Sequence, residues 1–183
     1  MTLMQTPEPD KGFIAPGFSL ESVDGRTYNF NDIKGAKGTI VAFICNHCPY
    51  VRAVIDRIVE DIDALQEDGI GAVAIMPNDT EKYPDDSFEN MKKFAELHNF
   101  SFPYLIDETQ KISGSYDAIC TPDIFGFNAQ DELQYRGRID SAGPKEADNT
   151  TKRELREAMR RIAETGKGPE EQHPAMGCSI KWR

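Results

Sequence analysis

A short apolar run, Thr39-Ile40-Val41-Ala42-Phe43-Ile44, passes directly into Cys45-Asn46-His47-Cys48-Pro49, and an amphipathic helical pattern follows at once. No other feature constrains the fold as much. Six β-branched, aromatic and small apolar residues in a row suit a strand buried inside a parallel sheet. After Pro49, residues Val51, Ile55, Ile58, Val59, Ile62 and Leu65 recur at helical spacing, while Arg52, Asp56, Glu60, Asp61 and Asp63 take the wetter faces. Pro49 suits the first helical position, where its missing N–H would have had no partner anyway, so Cys48 is the expected N-cap. Gly69 stops the helix and 70–76 supplies a second buried strand. The result is a strand-helix-strand crossover with a cysteine at its turn.

A cysteine placed there meets unpaired N–H groups and the positive end of the helix dipole, which can bring its pKa from about 8.5 to ~3.5–7.5. The thiolate is the nucleophile. A Cys-x-x-Cys beside a strand-helix-strand unit is a redox signature, with zinc as its main competitor. A metal site would draw on Cys45, Cys48, Cys120 or Cys178 with His47. Tetrahedral zinc sites usually take two tight ligand pairs and this chain has one, so no metal and no other cofactor is expected.

The chain has 183 residues, enough for one well-buried domain without staples, and its four cysteines at 45, 48, 120 and 178 are too few for a disulfide framework. Lysine and arginine number 21 against 31 acids, a net charge of −10, which disfavours nucleic acid and anionic membranes as partners. No apolar core of signal-peptide length stands near Met1, and no stretch approaches a membrane span. A cytoplasmic location is the expectation.

Along the rest of the chain, Asp24-Gly25 between short alternating runs reads as a β-hairpin. A polar loop covers 77–86, a helix 87–98 with His98 at its end, a strand 102–107 and a short helix 109–117. Pro122 should stand at the start of the apolar strand that follows, where it interrupts no ladder. The turn 128–132 leads to a hairpin strand over 133–139. Thr151-Lys152-Arg153-Glu154 has capping-box spacing before a final helix that ends at Gly166. Residues 1–183 read as one domain, with 167–183 as its tail.

This order resembles the thioredoxin-like α/β fold, a central mixed β-sheet flanked by helices, with the N-terminal hairpin and inserted strand and helix of redoxins. Cys45-Asn46-His47-Cys48-Pro49-Tyr50-Val51, Thr121-Pro122-Asp123, Tyr135-Arg136-Gly137-Arg138-Ile139-Asp140 and Gly177-Cys178-Ser179-Ile180-Lys181-Trp182 are together similar to a peroxiredoxin-like family of the alkyl hydroperoxide reductase and thiol-specific antioxidant type. The resemblance implies a reactive cysteine at Cys48 and the fold's loop proline, usually cis, at Pro122, with Thr121 and Pro122 beside the sulfur. It also implies a thiolate-stabilising arginine, Arg138 or Arg136. The chain departs from thioredoxin in having Val51 three residues beyond Cys48. It departs from typical peroxiredoxins in having Val41 and Cys45 where they place proline and a hydroxyl residue.

Two registers are open for the pair. Cys48 attacks and Cys45 resolves, or Cys45 attacks as in the Cys-Pro-His-Cys of bacterial disulfide-forming oxidants; Pro49 favours the first by making Cys48 the N-cap. His47 either tunes the thiolate and moves protons or is an exposed loop residue. Cys120 and Cys178 are further resolving candidates or packed thiols. The expected function is a thiol-dependent oxidoreductase acting on a disulfide or peroxide and recycled by a dithiol reductant such as a thioredoxin. The alternatives are a redox-inactive binding module and a zinc-binding protein. Oligomer formation is left open.

Overall fold

Strand β4 (Gly38–Phe43) is buried at every position, as its uninterrupted apolar run requires. Its side chains alternate between two cores. Ile40 and Ala42 face one and Val41 and Phe43 the other. A computed structural model describes residues 2–183 and sets β4 at the centre of a five-stranded mixed sheet. Strands β5 (Ile70–Met76) and β6 (Tyr104–Ile106) run parallel to β4 on one side. On the other side β8 (Asp123–Phe127) runs antiparallel to β4 and β9 (Leu133–Arg136) antiparallel to β8, giving the order β6-β5-β4-β8-β9.

Helix α2 (Pro49–Glu67) connects β4 to β5 and buries Val51, Ile55, Ile58, Ile62 and Leu65 against the first face. Helix α3 (Phe88–Leu97), capped by the Ser87 side chain, adds Met91 and Phe94 to this core. Helix α5 (Glu154–Thr165) adds Leu155, Met159 and Ile162. The second face is covered by Phe18, Phe30, Ile33 and Tyr116. These come from the flanks of the expected hairpin β2–β3 (Ser19–Glu21, Thr27–Asn29), the turn α1 (Phe30–Ile33) and the short helix α4 (Lys111–Ser115). Gly25 turns that hairpin at φ +84°, a conformation a side chain would strain.

The ends of the chain meet. Strand β1 (Leu3–Gln5) pairs antiparallel with β10 (Met176–Ser179), which in turn pairs with the two-residue β7 (Cys120–Thr121). Thus the segment 167–183, read from sequence as a tail, carries a paired strand. The Thr121–Pro122 peptide is cis and separates β7 from β8.

The capping box expected at Thr151 and Glu154 does not form. The N-cap of α5 is Arg153 with no side-chain cap, and Glu154 is the first helical residue. The Glu154 carboxylate is taken by Arg138 at 2.7 Å, while Thr151 Oγ1 accepts from the Asp148 N–H at 3.0 Å. A buried-edge ion pair outcompeted the local motif. The reverse happened at α1, where Asn29 and Asp32 form a capping box that frames a single helical turn.

Candidate active site

The helix start falls where the sequence put it. Cys48 is the N-cap of α2 in an extended conformation (φ −66°, ψ 122°), with Pro49 in the first turn. Cys45 stands three residues earlier, two past the end of β4, and its Sγ lies 3.3 Å from Thr121 Oγ1. Cys48 Sγ lies 3.1 Å from the Thr121 carbonyl oxygen and 3.0 Å from Cys178 Sγ. Three thiols and the cis-proline loop therefore converge, each of the three cysteines no more than 2% exposed. Cys120 stands apart, with Sγ 3.6 Å from the Pro122 carbonyl, and burial pushes its thiol up beyond reach.

The electrostatics separate the three thiols. Cys48 is lowered to about 4, chiefly because the Cys45 thiol donates to it, with the Cys178 thiol and the backbone N–H groups of Val51 and Cys178 helping against burial. The helix dipole favours the same charge. The Thr121 carbonyl works the other way, since it can accept only from the neutral thiol. The donors outnumber it, so the direction is downward. Cys45 is raised by donating to Cys48 and by burial. Burial first, then Cys48, pushes Cys178 up to about 12.

His47 is not an exposed loop residue. Its Nδ1 lies 2.6 Å from Asp86 Oδ2, and its ring stacks on Tyr83 at 5.7 Å and 8°. Asp86 is fully buried. It also accepts from the backbone N–H of Asn46 at 2.8 Å and of His47 at 3.3 Å, and from Asn78 Nδ2 at 2.8 Å. The bond to Asp86 holds the His47 pKa up. Burial pushes Asp86 up, but the bonds from His47 and Asn78 outweigh it and leave its pKa lowered. A histidine-carboxylate pair in which each partner favours the other's charged form thus stands beside the thiols.

Asn46 locks the turn. It accepts from Tyr104 OH at 2.9 Å, donates to the Asp85 carbonyl at 3.1 Å, and its own carbonyl accepts from Arg52 Nε at 2.8 Å. The sequence reading missed Asp86, Asn46, Asn78 and Tyr104 as site residues. Asp86 sits in a stretch of polar residues that reads as solvated loop, and nothing local distinguishes it from Asp85.

The two arginines are engaged elsewhere. Arg136 forks onto Asp123 at 2.7 and 3.0 Å and lies 4.4 Å over the Phe125 ring. Arg138 forks onto Glu154 at 2.7 and 3.0 Å. Neither stands among the largest causes that lower Cys48, which are the neighbouring thiols and the backbone N–H groups of Val51 and Cys178. Donor atoms of Cys45, His47 and Asp86 lie within 4.8 Å of one another, a three-donor set that shares Cys45 and His47 with the expected one and adds Asp86. A shallow groove of about 170 Å³ opens beside Pro122, walled by Tyr50, Val54, Ile139, Pro144 and Met176.

Residues 12–137 match the AhpC/TSA family. The chain belongs to that family. Among curated relatives, the thiol-disulfide oxidoreductase ResA of Geobacillus thermodenitrificans is 25% identical over 114 residues, 62% of this chain and 61% of the relative. The chain thus matches less than two thirds of that protein's length. An uncharacterized conserved protein from Geobacillus kaustophilus superposes with a TM-score of 0.93 at 41% identity, covering 100% of this chain and 97% of the other. The thioredoxin domain of a thiol-disulfide oxidoreductase from Bacteroides vulgatus gives 0.59 at 19% identity, over 70% of this chain and 88% of that one, a likeness of fold. The fold is thioredoxin-like, and the family is one of redox proteins.

Proposed function

We propose that this AhpC/TSA-family chain is a thiol-disulfide oxidoreductase in which Cys48 attacks and Cys45 resolves. The observation that carries this reading is the Cys48 sulfur at the start of α2, its pKa lowered to about 4 with the Cys45 thiol as the largest cause. The Cys48 thiolate displaces one sulfur of a substrate disulfide, forming a mixed disulfide and releasing a thiolate. Once Cys48 is covalently bound it no longer raises Cys45. The Cys45 thiol then loses its proton, attacks Cys48 Sγ and closes a Cys45–Cys48 disulfide while the second substrate thiol leaves. His47, whose pKa the bond to Asp86 holds up, has a ring nitrogen within 4.8 Å of Cys45 Sγ and can hand a proton to a leaving thiolate.

The groove beside Pro122 suits an apolar stretch flanking the substrate disulfide. A cytoplasmic dithiol donor would return the pair to thiols. A hydroperoxide is the competing oxidant, since the same thiolate would give a sulfenic acid that Cys45 condenses with to release water. Substituting Cys48→Ser should abolish both disulfide reduction and hydroperoxide turnover, and retained turnover would contradict the assignment. Comparing the two oxidants on the wild-type protein ranks the substrates.

A metal reading rests on the Cys45, His47 and Asp86 donor set. It is weakened because Asp86 already accepts from four groups. Metal content of protein prepared without chelator tests it, with stoichiometric zinc as the favourable result.

A further inference from the structure

Cys48 has two thiols within reach, and only one of them belongs to the Cys-x-x-Cys pair. We propose that Cys178 is a second exchange partner of Cys48, and that a Cys48–Cys178 disulfide latches the C-terminal strand across the active site. The proposal rests on the reading of Cys48 as the attacking thiol.

The approach is built into the backbone. The two sulfurs are 3.0 Å apart, about 1 Å beyond a covalent S–S bond. Cys178 is held in register with Thr121 by β10–β7 pairing and with Leu3 by β10–β1 pairing. Gly177 makes that seat available, because a Cβ there would stand 2.1 Å from the Thr121 carbonyl oxygen and 3.1 Å from Pro122 N. Beyond the strand the chain is bound to the loop that holds the His47–Asp86 pair. Lys181 N–H donates to Asn78 Oδ1 at 2.9 Å, the Asp79 N–H donates to the Lys181 carbonyl at 2.9 Å, and Asn78 also donates to Asp86. Cys48 has no exposed surface, and β10 supplies one of the groups packed against its sulfur.

The chemistry needs no oxidant beyond the substrate disulfide already consumed. The Cys178 thiol loses its proton and the resulting thiolate attacks Cys48 Sγ in the Cys45–Cys48 disulfide. The Cys48–Cys178 bond forms, the Cys45–Cys48 bond breaks, and the Cys45 thiolate takes up a proton. One disulfide is exchanged for another, with no net oxidation. The latched form keeps β10 on the site and holds Cys48 away from further attack, until a dithiol donor reduces it and frees the strand.

The test uses the full chain, oxidised with a small symmetrical disulfide, quenched in acid, alkylated and mapped by mass spectrometry. Wild type should yield a Cys48–Cys178 peptide link, and Cys45→Ala should yield it as the sole intramolecular link. Amide exchange over 176–179 should slow by at least about tenfold on oxidation of wild type. The latch is overturned if wild type shows only a Cys45–Cys48 link and Cys45→Ala stops at the mixed disulfide on Cys48; that result leaves the proposed function standing. If Cys48 does not react with the disulfide in either protein, the proposed function fails and the latch with it.

Discussion

When protonated, Cys48 gives its hydrogen to the Thr121 carbonyl; when ionised, it depends on hydrogens from Cys45 and Cys178. Removing one of those donors should therefore raise its pKa. A hydrogen bond to a charged group is worth about 1.5–3 kcal/mol, so Cys45→Ala should move the alkylation midpoint of Cys48 upward by about 1–2 pH units. A midpoint unchanged by that substitution would remove Cys45 from the electrostatics. The His47–Asp86 pair carries a second prediction. His47 is raised, so its contribution to stability is complete below about 6.5 and is lost as pH rises through its folded pKa. Asp86 is lowered, so its contribution is complete above about 3.9 and is lost as pH falls through its folded pKa. Asp86→Asn should cost about 2–3 kcal/mol in the window between, with a smaller loss on either side, and the His47 imidazole should titrate at lower pH. Denaturant unfolding across pH and NMR titration of His47 check the two halves. An equal loss at every pH would contradict the ionic account.

Among the elements, those that bury their own periodic pattern were legible. The run over 39–44, the Pro49 start of α2 and the Gly69 stop each carry a local physical cause, and β4, α2 and β5 follow them. Strands β1 and β10 were not legible, because each is three or four residues long and exists through partners distant in the chain, Cys178 opposite Leu3 and opposite Thr121. The capping-box spacing at Thr151 misled because Glu154 had a better partner in Arg138. Arg136 was legible as a charged residue on a strand, but its partner Asp123, which burial pushes up, was not. Arg136→Ala should cost about 3–5 kcal/mol by leaving Asp123 buried without its cation, while the Cys48 alkylation midpoint stays in place. A large upward shift of that midpoint would restore the arginine to the thiolate. Gly177→Ala should unseat β10, lowering the melting temperature and speeding alkylation of Cys48, and an unaltered alkylation rate would show that the strand does not guard the thiol.

For the whole molecule, the site is a product of topology. Cys45, His47 and Cys48 come from the β4–α2 turn, Asn78 and Asp86 from the loop before α3, Thr121 and Pro122 from the β7–β8 junction, and Cys178 from the last strand. The first and third of these segments could be brought together from the sequence because the resemblance to the thioredoxin-like fold joins them. The fourth entered the sequence reading only as one of two further resolving candidates, Cys178 beside Cys120, and the second needed the tertiary structure, which turns a polar loop into a wall of a buried thiol cluster. The measurement that tests the central claim most directly is the pH dependence of iodoacetamide alkylation, read peptide by peptide. The account predicts that Cys48 reacts first, with a midpoint near about 4–5 and a plateau above it, while Cys45, Cys120 and Cys178 stay protected. A Cys48 midpoint near about 8.5, or Cys45 reacting ahead of it, would contradict the account and favour a redox-inactive module on the same fold.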